Sequence, residues 1–167
     1  MSVLPVVAWP DPRLSRKCDP VGNLNDEIRQ LSQDMLDTMY RANGRGLAAP
    51  QIGVLKRIFV MDATWKTGAK TPLVCIDPEF TVLGDAQSTN EEACLSIIGV
   101  SADVTRAQQI ELNFTALDGS RETMLLDGFE AICAQHEIDH LNGRVIFDHL
   151  DEATRVKLEA DYEALQT

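Results

Sequence analysis

The stretch Gln135-His136-Glu137-Ile138-Asp139-His140-Leu141-Asn142-Gly143 decides how the rest of the chain is read. It reads as one helix that begins near Asp127 and Gly128, with Phe129 and Ile132 on its apolar side. Residues four apart share a helical face, so His136 and His140 point the same way. Two neutral imidazoles so placed can hold one divalent metal, and Glu137 lies where a carboxylate can take a proton from water on that metal. Two of the chain's three histidines fall inside this stretch, which favours a metal site over two solvated side chains at helical spacing.

Bulk properties narrow the class. With 167 residues, 44% of them hydrophobic, the chain can bury one sizeable core, and we expect a single domain over residues 1–167. Its net charge of −11, from 26 acidic and 15 basic residues, argues against broad contact with nucleic acid or an anionic membrane. No apolar run approaches the roughly 20 residues of a membrane span. The start of the chain has no basic segment and no cleavage pattern, so we expect no export signal and a cytoplasmic location. Cys18, Cys75, Cys94 and Cys133 are too scattered for a CxxC pair or a disulfide framework.

Moving outward, residues 1–22 hold four prolines and read as an extended, surface-hugging arm. Ile28, Leu31, Met35 and Met39 recur at helical spacing, which predicts an amphipathic helix over about 25–39 capped by Asn23 or Asn25. Gly44-Arg45-Gly46-Leu47-Ala48-Ala49-Pro50-Gln51 lets the backbone turn or approach a ligand closely, and the Gln51 amide can donate to a developing oxyanion. Residues 57–61, 73–76 and 80–83 are short and β-prone, whereas 84–92 read as a polar loop leading to Cys94. Residues 109–116 and 122–126 alternate around Leu117-Asp118-Gly119-Ser120 as a hairpin. Leu158, Tyr162 and Leu165 mark a last helix capped by Asp151. The expected class is α+β: short, mostly antiparallel strands around a central metal-binding helix, with a helix toward either end.

A catalytic metal takes three protein ligands and keeps one position open. Cys133 shares the histidine face but stands about 10 Å from His140 along the axis at roughly 1.5 Å per residue, so it reads as a small apolar lining residue. His149 reads as a surface residue. Cys94, from a segment free to approach the helix, is preferred over the carboxylate of Glu92. Glu137 is taken as the general base because of its reach, and Asp139 as a residue that steadies the helix or orients a ligand.

With these residues in place, the chain resembles the peptide deformylases. Three motifs match in order: Gly44-x-Gly46-x-Ala48-Ala49-x-Gln51, then Glu92-x-Cys94-Leu95-Ser96, then His136-Glu137-x-x-His140. The resemblance implies hydrolytic removal of the N-formyl group from the formylmethionine that begins new polypeptides. It makes Cys94, His136 and His140 the ligands of one divalent ion, most often ferrous iron, with zinc or nickel as substitutes. It gives Glu137 the role of base, and Gln51 with the backbone N–H of Leu95 that of oxyanion donors. Substrate would lie along Gly44, Arg45 and Gly46, its methionine side chain among Phe129, Ile132 and Cys133.

The chain departs from that pattern at four places. Ala93 stands for a usual glycine, Ile98 for a common proline, Ser101 for a frequent arginine, and Arg45 for a usually aliphatic residue. We expect Arg45 to meet the peptide beyond its first residue. Two other readings are a deformylase-like protein that binds metal and peptide with weak or altered turnover, and a helical zinc endopeptidase. The second would need a carboxylate or third histidine as ligand. Some relatives dock on the ribosome through a basic C-terminal helix. Here residues 151–167 carry Asp151, Glu152, Glu159, Asp161 and Glu163 against Arg155 and Lys157, so such docking is not expected.

Overall fold

The computed structural model describes residues 2–167. Three helices, α1 (Asp26–Arg41), α2 (Gly128–Leu141) and α3 (Glu152–Leu165), are set against seven strands. In chain order these are β1 (Gly46–Ala48), β2 (Ile58–Met61), β3 (Leu73–Val82), β4 (Gln87–Cys94), β5 (Ile97–Ala107), β6 (Gln109–Thr115) and β7 (Arg121–Asp127). Five of them form one antiparallel sheet in the order β1-β2-β3-β6-β7, while β4 and β5 form a separate two-stranded ribbon. The expected α+β class and antiparallel pairing hold.

Strand β2 shows why the sheet has helices on both faces. All of Ile58-Phe59-Val60-Met61 is buried, the pattern of a strand covered on two sides. Ile58 and Val60 meet Ile28, Met35 and Met39 of α1, whereas Phe59 and Met61 meet the core shared with Ala134, Ile138 and Leu141 of α2. Asn25, not Asn23, caps α1 by accepting from the Ile28 N–H at 3.0 Å. A third core lies under the ribbon, where Ile97, Ala102 and Val104 pack on Phe147 and Tyr162. Helix α2 is thus enclosed between sheet and ribbon, and nine of its side chains are buried.

Two strand readings change. Residues 73–76 and 80–82 belong to one strand, which stops one residue short of Leu83, because Asp77 takes φ 48° at a bulge and the ladder to β6 resumes at Glu79. The carboxylate of Asp77 accepts the Val21 and Gly22 N–H groups there, tying down the arm. Of residues 84–92, expected to form a loop, 87–92 belong to strand β4, which is in register with β5 from Gln87↔Ala107 to Ala93↔Ser101. The strand escapes an apolar reading because only Glu92 and Cys94 on it are buried.

Helix α2 ends where Gly143, at φ 77°, turns back against the arm. A Cβ there would lie 2.8 Å from the backbone of Ser15, which cannot simply swing aside. Gly143→Ala should therefore lower unfolding free energy by roughly 2–4 kcal/mol, combining a left-handed non-glycine residue with overpacking. Urea denaturation of metal-loaded protein measures this. A loss below about 0.5 kcal/mol, the range of neutral surface changes, would mean that the arm is not held there.

Candidate metal centre

Strand periodicity sends alternate residues to one face, so Glu92 and Cys94 both point from β4 toward α2. Helical periodicity brings His136 and His140 to meet them. The Cys94 sulfur and one ring nitrogen from each histidine all lie within 4.8 Å of one another, with the His140 Nε2 at 3.4 Å from the sulfur. Cys94 thus sits at the end of a strand rather than in a loop, and Glu92 is not part of the donor set. Its carboxylate instead meets the His136 Nδ1 at 2.9 Å, which turns the other ring nitrogen toward the thiol.

Behind Glu92 stands Arg106, a residue that the sequence reading overlooked. Its guanidinium donates to both oxygens of Glu92 at 2.7 and 2.9 Å and to Asp139 at 2.8 Å. Asp139 also meets His149 at 2.6 Å, so His149 is a partly buried partner and not the surface residue expected. The run Ala102-x-Val104-x-Arg106 could have revealed this. It alternates inward along β5, and a cation in the third place needs a buried acid as partner.

Burial alone would raise the Cys94 pKa, yet the adjacent His140 and His136 bring it down to about 5, so the sulfur is a thiolate. Burial would lower the His136 pKa, but Glu137, Cys94 and Glu92 drive it well above its usual value. This surplus of negative groups attracts a cation, whether proton or metal. The Glu137 carboxyl is raised, first by burial and then by Cys94, against the pull of the imidazoles. For Glu92, burial is outweighed by His136 and Arg106, and its pKa is lowered. Asp139 reaches about 2, because His149 and Arg106 overcome its burial.

The donor set fits one divalent ion. It offers a thiolate and two imidazoles within reach of each other, and beside them the buried Glu137 Oε1 has no hydrogen-bond partner among the described residues. Gln51 is 1% exposed. Its Oε1 accepts from the Ala48 N–H at 3.0 Å, which aims the Nε2 at Ser96 Oγ (3.1 Å) and Cys94 Sγ (3.6 Å). Gly46 leaves the space that Glu137 uses, since a Cβ there would collide with the Glu137 Oε2. All of this opens into a cleft of about 760 Å³, lined also by Gly44, Arg45, Leu95, Phe129, Ile132 and Cys133. The structure therefore brings together every predicted site residue. Of the four departures, Arg45, Ala93 and Ile98 line the cleft, and Ser101 pairs with Ala93 across the ribbon.

A thiolate and two imidazoles beside a buried carboxylate define a mononuclear metallohydrolase centre. Comparison with known proteins agrees, and the chain belongs to the polypeptide deformylase family, whose model matches residues 3–156. The peptide deformylase of Alkalilimnicola ehrlichii is 42% identical over 165 residues, which cover 99% of this chain and 92% of that protein. A crystal structure of peptide deformylase from Ehrlichia chaffeensis matches with a TM-score of 0.92 at 33% identity, over 99% of this chain and 97% of that one. A second Ehrlichia chaffeensis structure, in complex with actinonin, matches over 100% of both chains with a TM-score of 0.91 and 35% identity.

If Arg106 holds the Glu92–His136 arrangement, Arg106→Met should weaken metal binding about 10–100-fold, with Arg106→Lys intermediate. Competition with a coloured chelator measures this, and affinities equal to the parent's in both variants would remove Arg106 from that role.

Proposed function

We propose that residues 1–167 work as one domain that hydrolyses the formyl amide of N-formylmethionyl peptides. The observation that carries this reading is the buried Glu137 carboxyl beside the Cys94-His136-His140 donor set, with the Gln51 amide aimed at the same point. A divalent ion on those three residues supplies Lewis acidity, which polarises a carbonyl and acidifies water. Ferrous iron is the proposed native ion, with zinc or nickel able to replace it.

The chain's own residues supply the rest. Glu137, its pKa raised above the usual carboxylate value by burial, takes a proton from the attacking water and delivers it to the departing amine. The Gln51 Nε2 and the Leu95 N–H donate to the oxygen on which negative charge develops. Strand β1 pairs with β2 alone among the described residues, so its outer edge at Gly46 can pair with an extended peptide by backbone hydrogen bonds, with Gly44 and Arg45 just before it lying alongside. The methionine side chain then enters the apolar part of the cleft at Phe129, Ile132 and Cys133.

A role in binding without turnover gains no support from a site where base, donor amide and ligands stand together. The thiolate ligand likewise sets the centre apart from helical zinc endopeptidases. No described helix is long and apolar enough to cross a membrane, and we place the protein in the cytoplasm. We propose further that the protein makes no direct nucleic-acid contact and does not dock on the ribosome through α3. On α3 the two cations are engaged, Arg155 by Asp148 and Glu159 and Lys157 by Asp161.

Formyl-Met-Ala-Ser assayed with iron- or nickel-loaded protein should be deformylated, and a chelator should abolish the reaction. Glu137→Ala should be inactive while still holding metal, and Gln51→Ala should lose about 10²–10³ in kcat, the usual effect of one oxyanion donor. Absence of turnover by fully metal-loaded protein would overturn the proposed reaction. For α3, salt-sensitive co-sedimentation with ribosomes that is lost when the helix is removed would overturn the exclusion of docking.

A further inference from the structure

We infer that Arg45 and Lys66 form an anion-recognising rim on the cleft, selecting formylated peptides with a carboxylate one or two residues beyond the methionine. The inference rests on the proposed deformylation and specifies which substrates that site takes.

Both cations line the same cleft. Among the described residues neither makes an ion pair, although the chain carries a net charge of −11. Arg45 is held in place at both ends. Its carbonyl accepts from the Asp62 N–H at 2.9 Å, and its guanidinium carbon lies 5.2 Å from the centre of the Phe129 ring. Its Nε is buried with no hydrogen-bond partner, a donor left without the acceptor such groups ordinarily find. Lys66 is delivered by the segment after β2. Trp65 pins that segment to the same strand edge, its Nε1 donating to the Gly44 carbonyl at 2.9 Å, and the Lys66 ammonium lies 5.8 Å from the Trp65 ring.

Slight desolvation beside the cleft and the charge of Arg45 both lower the pKa of the exposed Lys66, so the two cations disfavour each other until an anion joins them. A carboxylate is the group whose planar shape a guanidinium fork matches. Extended peptide advances roughly 3.3 Å per residue. With methionine seated beside Phe129, the next residues leave the apolar part of the cleft at the edge where Arg45 stands over that ring. Arg45 and Lys66 are the arginine and lysine of the lining, which elsewhere carries Glu91, Glu92 and Glu137 with the uncharged Ser88 and Asn90.

The test compares kcat/KM for formyl-Met-Ala-Ser-amide with formyl-Met-Asp-Ser-amide, formyl-Met-Ala-Asp-amide and the free acid formyl-Met-Ala-Ser. The first two acids place the carboxylate on a side chain and the third at the peptide end. At low ionic strength at least one acidic peptide should exceed the neutral amide by about three- to tenfold, and the ratio should fall toward one in about 0.5 M salt. In the Arg45→Leu, Lys66→Met double variant the ratio should approach one. Forming the ratio within each variant cancels any general loss of activity. Ratios within about twofold of one for every acidic peptide, or a preference that survives the double substitution, would overturn the inference. Should no peptide be hydrolysed, the proposed reaction fails, and calorimetric binding of Met-Asp-Ser-amide against Met-Asn-Ser-amide decides the rim by itself. Tighter binding of the acid sustains it, and equal binding overturns it.

Discussion

One buried guanidinium holds the two halves of the centre at working distance. Arg106 is 5% exposed and satisfies two carboxylates at once, Glu92 on the ribbon and Asp139 on α2. A cation so deep is unfavourable by several kcal/mol without partners. Three charge-assisted hydrogen bonds, two of them a fork onto one carboxylate, offset that penalty and fix direction as well as distance. Among the described residues the ribbon pairs with no strand of the large sheet, so its attachment to α2 rests on this link, on the Glu92–His136 and Gln135–Ala107 hydrogen bonds, and on Ala107, which packs in the core shared with α2. Since Cys94 belongs to the ribbon and both histidines to α2, the donor set depends on the joint.

How far the sequence revealed this depended on the range of the interactions. Helices α1 and α2 and the 109–126 hairpin were legible because a local period or turn specifies each one. The ligands were legible for the same reason, together with the motif order. Strand β4 was not, because its outward face is polar and its inward face carries Glu92 and Cys94, which serve chemistry rather than a core. Arg106 and His149 were missed because their partners lie 33 and 10 residues away, in elements whose meeting no local pattern states. The split of β3 at Asp77-Pro78 was a reasonable reading of two turn-forming residues, overruled by a bulge that lets the ladder continue.

The cleft also shows how a strongly acidic chain can keep a local electrostatic character of its own. Deep in the site the Glu137 carboxyl stands beside the donor set and Glu92 pairs with Arg106, while the cleft lining also holds Arg45 and Lys66. Fields at such short range are set by the nearest groups, and net charge says little about them.

The missing side chain at Gly46 limits what that position can hold. Its absent Cβ is the room that the Glu137 carboxylate occupies, so any side chain at this position of the β1 edge would collide with the group proposed as the base. Arg45, one residue earlier, turns away from that space and lies over Phe129. The two neighbours therefore differ in what a substitution would disturb: a change at Arg45 alters the surface over Phe129, whereas any side chain at Gly46 displaces the Glu137 carboxylate.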